Sequence, residues 1–131
     1  MSRRGVMGVV LTVGGLLVTA ASLPHALLGW PALRESLQGK VDSDAMTTAA
    51  IGWLFGSFAM ATLGVVALVS ASQLRRGNAS AKWPAIVVGV GYLAFGFWGL
   101  WYSGGSPHFY GFLVMGGAVA SGAWFSARKS A

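Results

Sequence analysis

Four long apolar stretches divide the chain, and none of them contains an Asp, Glu, Lys or Arg. A bilayer core about 30 Å thick is crossed by roughly 20 helical residues, and each stretch is long enough for that crossing. The pattern predicts an all-α fold, a transmembrane four-helix bundle formed by a single domain, residues 1–131. We expect the helices at about 6–28, 45–72, 83–102 and 108–127.

The segment between the first two spans has the pattern of a short amphipathic helix. Pro31 suits a first helical turn, and Gly39 suits a helix end. Leu33 and Leu37 lie four residues apart and would share one face. We expect this helix to lie flat on the membrane interface and to cover one end of the bundle. A plain connector is the alternative.

Basic residues are distributed unevenly between the two sides that four spans define. Seven of the nine lie on the side of the termini: Arg3, Arg4, Arg75, Arg76, Lys82, Arg128 and Lys129. The other side carries Arg34 and Lys40 with all three acids, Glu35, Asp42 and Asp44. Because Lys and Arg are retained in the cytoplasm, we expect both termini to be cytoplasmic and the acidic side to be outside.

Several kinds of chemistry are excluded by composition. The chain has no cysteine, so it can form no disulfide, thiolate nucleophile, iron–sulfur cluster or thiol-based zinc site. Its net charge of +6 lies in loops rather than in a patch, and no nucleophile–base set or phosphate loop is present. We therefore expect a lipid bilayer, and not nucleic acid, as the surrounding partner.

Transport is the least favoured of three functional hypotheses. Transporters usually place an ionisable group at mid-span, and this chain has none there, which disfavours proton-coupled export. A small transporter or channel would instead have a hydrated path lined by Thr12, Thr19, Ser57, Thr62 and Tyr92.

Small residues predict close helix packing, because helices in lipid associate through van der Waals contact between small faces. The candidate packing residues are Gly52, Gly56, Gly64, Gly116, Gly117 and Ser121. They could form a homodimer seam or contact another membrane protein. We favour contacts within one bundle, since a compact bundle already needs such faces.

The two histidines lie on the outer side, His25 near the end of the first span and His108 at the start of the fourth. They could be axial haem ligands, half of a metal site or a proton-transfer pair. Alternatively, His25 bonds a backbone carbonyl near Pro24 while His108 sits at the water interface. Two histidines without nearby carboxylates make a poor zinc site, so no metal is predicted.

Aromatic residues gather on the same side, where a helical stripe of Phe95, Trp98 and Tyr102 follows the third span. They could line a pocket for a flat apolar ligand such as a quinone, sterol or pigment, or form an interfacial belt and part of the bundle core. With Tyr92 and Phe95 nearby, the candidate ligand- or cofactor-binding residues are His25, His108, Trp30, Trp53, Trp98, Trp101, Tyr102 and Tyr110.

The stretches Ala21–Gly29, Trp30–Leu33 and Ile51–Ser57 together resemble a group of small, uncharacterised bacterial four-helix membrane proteins. In that group a histidine and a glycine four residues later, here His25 and Gly29, end the first helix. The resemblance covers about the first half of the chain. It implies the fold and a bacterial inner membrane, but no activity.

The leading hypothesis is a membrane protein without a catalytic site. It would act as an accessory or scaffold subunit, packed against a partner or a second copy, or bind a hydrophobic molecule near the outer leaflet. The second hypothesis is a haem- or quinone-linked redox protein that uses His25 and His108. The visible spectrum of the protein separates these two hypotheses.

Overall fold

The structure is a computed structural model that describes the backbone of residues 3–127 and the side chains of residues 5–127. Within that range the regular elements are all helical and no strand is present, which confirms the all-α fold. The elements are α1 (Arg3–Pro24), a π-helical segment (His25–Gly29), α2 (Trp30–Leu37), α3 (Ser43–Arg75), a 3-10 turn (Ala79–Ala81), α4 (Lys82–Tyr102), a second 3-10 turn (Pro107–Phe109) and α5 (Tyr110–Ser126).

Among the described residues, four helical stretches are long and apolar enough to cross a membrane, as predicted: Gly5–Leu37, Ser43–Arg75, Ala79–Tyr102 and Pro107–Ser126. The first is longer than expected, because it continues beyond residue 28 to Leu37. Its 33 residues correspond to about 50 Å at the rise of an α-helix. Of the basic residues that support the predicted orientation, the side chains of Arg3 and Arg4 and all of Arg128 and Lys129 lie outside the described residues.

A helix, α2, occupies the segment where a short amphipathic helix is predicted, but it is continuous with the first span; a position flat on the membrane interface stays a prediction. Gly29, expected to end the first helix, has φ −68° and ψ −43°, which is right-handed helical geometry. The chain therefore passes from α1 through the π-helical segment into α2 without a break. Pro24 and Pro31 bracket this segment, and each removes one backbone N–H, so the wider turn accommodates two missing hydrogen bonds. The continuous helix ends only near Gly39, whose φ is +75°.

The four spans form a ring in the order α3, α1, α5 and α4. One end of this ring carries His25, His108 and the acidic residues, and we call it the histidine end. The opposite end carries Arg75 and Lys82, and we call it the arginine end. Leu11, Val18 and Val119 are fully buried between the two ends and fill the centre of the bundle.

Glycines bring three pairs of helices into backbone contact. A β-carbon at Gly64 on α3 would overlap Thr19 on α1. A β-carbon at Gly116 on α5 would lie 2.7 Å from the carbonyl oxygen of Gly89 on α4, and one at Gly122 would lie 2.7 Å from the backbone nitrogen of Leu11. Such approaches are possible only without a side chain, so these contacts set the distance between the helices.

Other small residues of the predicted packing set lie outside these contacts. A β-carbon at Gly52 or Gly117 would meet no atom within 4 Å, and one at Gly56 would meet only Cε1 of His25, at 3.8 Å. The Ser121 hydroxyl donates to the carbonyl oxygen of Gly117 in its own helix, at 2.6 Å. At Gly52 and Gly117 the position of a side chain therefore faces open space within the described part of the bundle. The predicted roles of these open glycines in a contact with a partner stay predictions.

Candidate functional site

A cavity of about 590 Å³ opens sideways at the histidine end between α3 and α4, which are the least closely packed pair of neighbouring helices. Gly52 and Gly56 on α3 and Gly91 on α4 border it, and their missing side chains keep it open. The full lining consists of His25, Gly52, Trp53, Gly56, Ala59, Met60, Leu63, Gly91, Tyr92, Phe95, His108, Phe109 and Phe112. Apart from the two imidazoles, the indole and one phenol, this lining is apolar.

A second cavity, of about 650 Å³, lies on the other side of the two histidines, between the π-helical segment, α2 and α5. It is bordered by Pro24, Gly29 and Leu33 on one side and by Gly111 and Met115 on the other. The residues that line both cavities are His25, Trp53, Met60, His108 and Phe112. We call these five side chains the partition. They are the only described residues that belong to the walls of both cavities.

Trp53 holds His25 in the partition by two contacts. The imidazole and indole rings stack with their centroids 4.3 Å apart and their planes at 9°. The indole Nε1–H also donates to the carbonyl oxygen of His25, at 2.7 Å. A β-carbon at Gly29 would lie 2.6 Å from Cζ2 of the same indole, so the glycine makes room for Trp53. The predicted bond from the His25 ring to a backbone carbonyl is not found among the described residues, because Nδ1 of the ring lies 2.8 Å from the Ser57 hydroxyl oxygen, and the His25 carbonyl oxygen is itself the acceptor of the bond from Trp53.

Ser57 fixes the orientation of the His25 ring. Ser57 lies four residues after Trp53, on the same face of α3, and its Oγ is 2.8 Å from Nδ1 of His25. The same hydroxyl donates to the carbonyl oxygen of Trp53, at 3.2 Å. A hydroxyl has one proton, so while it donates to that carbonyl it can only accept from Nδ1–H. In this arrangement Nε2 of His25 carries a free lone pair, as in histidines that ligate metals or accept a proton.

The far wall of the cavity is a cluster of aromatic rings around Phe112. The Phe95 and His108 rings meet it edge to face, at centroid distances of 4.9 and 5.7 Å. Tyr92 packs on it at 5.6 Å. Phe109 and Phe112 are the aromatic lining residues that the sequence interpretation missed. Their spacing of three residues along a helix after His108 is the signal that was available.

Tyr92 contains a buried polar atom without a partner. Its side chain is 5% exposed, and its hydroxyl oxygen forms no hydrogen bond to any part of the chain that the structure describes. An unpaired buried hydroxyl of this kind is unfavourable by about 1–3 kcal/mol. The histidine end of the bundle therefore contains an unsatisfied donor in the wall of its lateral cavity.

The remaining predicted aromatic residues lie outside both cavities. Trp98 stacks on Tyr102 at 5.4 Å, and Trp101, Tyr102 and Tyr110 are 79%, 77% and 56% exposed. Trp30 begins α2, and neither cavity lining includes it. The structure thus brings together three of the eight candidate residues, His25, Trp53 and His108, and leaves the others on the surface of the histidine end.

The polar residues of the predicted transport path do not form a continuous line. Thr19 and Thr62 donate to carbonyl oxygens four residues earlier in their own helices. Thr62 is exposed on the bundle surface, whereas Ser57 and Tyr92 lie at the histidine end and Thr12 at the arginine end. No group of three or more His, Asp or Glu side chains suited to a metal ion occurs within the described residues.

Comparison with protein-family models, with curated proteins and with solved structures finds no match to this chain. Its function is therefore inferred from the geometry of the cavities and their walls.

Proposed function

We propose that this protein is a membrane-embedded binder of a flat, apolar ring compound, which enters the lateral cavity at the histidine end directly from the lipid. The protein carries out no reaction on this ligand by itself. The observation that carries the proposal is the cavity between α3 and α4, apolar, open to the side and bordered by glycines. Concave apolar pockets with a few convergent polar groups are the usual form of a small-molecule site.

The ligand would carry a hydroxyl or carbonyl group on its ring. Rings of Trp53, Phe95 and Phe112 offer faces and edges for stacking, which favours a flat molecule. Nε2 of His25 accepts a hydrogen bond from a ligand hydroxyl when Ser57 holds the proton on Nδ1. A quinol head group combines these features and has an apolar tail that can remain in the bilayer.

The proposal includes an orientation. The protein would lie in a bacterial inner membrane with both termini in the cytoplasm, so that the histidine end faces the outer leaflet. Support comes from the seven of nine basic residues on the side of the termini. Single-cysteine labelling tests this, because the chain has no cysteine of its own. A cysteine at Gly104 should react with an impermeant maleimide added outside, whereas one at Asn78 should not.

Binding is tested by filling the cavity. A leucine at Gly91 would add bulk at the border of the cavity, where a β-carbon would meet no atom within 4 Å. Gly117→Leu is the matched control, because that glycine is equally open and lines neither cavity. The probe is a short-chain benzoquinol, measured by equilibrium dialysis against protein in nanodiscs. We expect saturable binding by the wild type and by Gly117→Leu, and at least a ten-fold loss in Gly91→Leu. Equal binding by all three proteins would overturn the proposed site.

Haem binding is the second candidate function, and the hydrogen bond between His25 and Ser57 favours it. When Ser57 accepts from Nδ1–H, the imidazole of His25 is held through Nδ1 and its Nε2 lone pair is available, as in a metal-ligating histidine, and His108 lines the same cavity. Haem-loaded protein would show a strong Soret band that His25→Ala abolishes. A colourless protein after incubation with excess haem would exclude this candidate while leaving quinol binding to its own test.

A further inference from the structure

A third cavity lies at the arginine end, between α1, α3 and α5, and has a volume of about 720 Å³. Arg75 and Arg76 contribute its basic side, and Thr12 contributes a hydroxyl. Nη1 of Arg75 donates to that hydroxyl oxygen at 2.9 Å, which ties the guanidinium of α3 to α1 across the cavity. This site is far from the partition and is independent of the proposed function.

The Arg75 side chain is exposed, and it reaches from α3 to Thr12 on α1 along the wall of the cavity. Contacts of Gly15 with Ala67 and Leu68 set the register of α1 against α3, so Thr12 lies roughly level with Ala71, one turn before Arg75. Side chains on a helix lean towards its N-terminus, which for α3 is the histidine end. The guanidinium therefore lies about one turn, roughly 5 Å, deeper than the backbone that carries it.

No acidic side chain of this chain can neutralise Arg75. The three acids, Glu35, Asp42 and Asp44, all belong to the opposite end. The neutral Thr12 hydroxyl accepts from only one of the five N–H donors of the exposed Arg75 guanidinium, so its positive charge and its other donors remain available to an anion in the cavity. An anion that pairs with Arg75 in this cavity would therefore come from outside the chain.

We propose that this cavity binds the phosphate group of an anionic phospholipid, with the guanidinium fork of Arg75 on the phosphate oxygens. Arginine matches phosphate in charge and in geometry. Gly5 and Gly8 border the cavity and leave room for a head group. Val9 and Val13, which are 52% and 47% exposed, continue the wall of the cavity and provide an apolar track for an acyl chain. That track favours a lipid over free phosphate.

The test compares lipids and variants. Purified protein in mild detergent is titrated with phosphatidylglycerol, phosphatidylcholine or inorganic phosphate, and lipid retention is counted by native mass spectrometry. We expect one tightly held phosphatidylglycerol and at least ten-fold weaker retention of phosphatidylcholine, whose choline cation adds to the existing positive charge. Arg75→Gln should lose at least ten-fold in phosphatidylglycerol affinity. Arg34→Gln, an exposed arginine at the histidine end, should lose nothing.

A second variant covers the case in which Arg75→Gln does not fold. Thr12→Val keeps the shape of the side chain and removes the hydroxyl that holds the guanidinium. It should weaken phosphatidylglycerol retention several-fold. Retention by either folded variant equal to that of the wild type would overturn the proposal. If inorganic phosphate is retained as tightly as phosphatidylglycerol, and its retention depends on Arg75, the lipid is not the source of the phosphate group.

Discussion

Replacing Gly29 by alanine tests the central contact of the histidine end. A β-carbon there would lie 2.6 Å from Cζ2, 3.2 Å from Cε2 and 3.3 Å from Nε1 of Trp53. Ordinary carbon contacts are about 3.5–4.0 Å long, so the indole must move by about 1 Å. That displacement disturbs both the stack on His25 and the hydrogen bond to its carbonyl oxygen.

The magnitude follows from these contacts. A hydrogen bond contributes about 1 kcal/mol, and an aromatic stack about 0.5–1.5 kcal/mol. Alanine is favoured over glycine in a helix by up to about 1 kcal/mol, which offsets part of the loss. We expect Gly29→Ala to lower the free energy of unfolding by about 1–2 kcal/mol, whereas Gly52→Ala, which meets no neighbour, should leave it unchanged or raise it by up to about 1 kcal/mol.

The assay is reversible unfolding in mixed micelles, followed by circular dichroism, for the wild type, Gly29→Ala and Gly52→Ala. A nitrogen–proton NMR spectrum gives a local readout, because the Trp53 indole N–H should shift in Gly29→Ala and stay in place in Gly52→Ala. If Gly29→Ala is as stable as Gly52→Ala and the indole signal does not move, the described packing of Trp53 on the π-helical segment is wrong.

Two further substitutions test the bundle. Gly64→Ala should destabilise it by about 1–3 kcal/mol, because the β-carbon would overlap Thr19 and force α1 and α3 apart; the same unfolding assay applies, with Gly117→Ala as a control that should be neutral. Tyr92→Phe should stabilise the ligand-free protein by about 1 kcal/mol, because it removes a buried hydroxyl without a partner. A loss of stability in Tyr92→Phe would show that the hydroxyl is bonded in the membrane.

The sequence led to the four spans and to the asymmetry between the two ends, yet it located the site only in part. His25, His108 and Trp53 were identified from residue type and side of the membrane, and these properties belong to single residues. Trp98 and Trp101 share the same properties and lie outside the cavity. Residue type could not separate the two groups, because the difference depends on the rotation of α4 about its axis.

The ends of the helices show the same division. Gly29 is a residue type typical of helix ends, but Trp53 on α3, 24 residues later in sequence, occupies the space beside it and the helix continues. Gly39 is the same residue type and does end a helix: its φ is positive, and a β-carbon there would meet no atom within 4 Å. A local signal was correct where no other helix intervened and wrong where one did.

The sequence by itself determined the number of spans, their approximate limits and the opposite chemistry of the two ends, because hydropathy and charge are sums over neighbouring residues in the chain. Only the tertiary structure decided which glycines face a neighbouring helix and which border a cavity. In water, a polar face marks the outside of a helix, but in lipid both the buried and the outer faces are apolar. The rotation and register of each helix are then set by close contacts such as that of Gly64 with Thr19, and those contacts also decide where the bundle stays open.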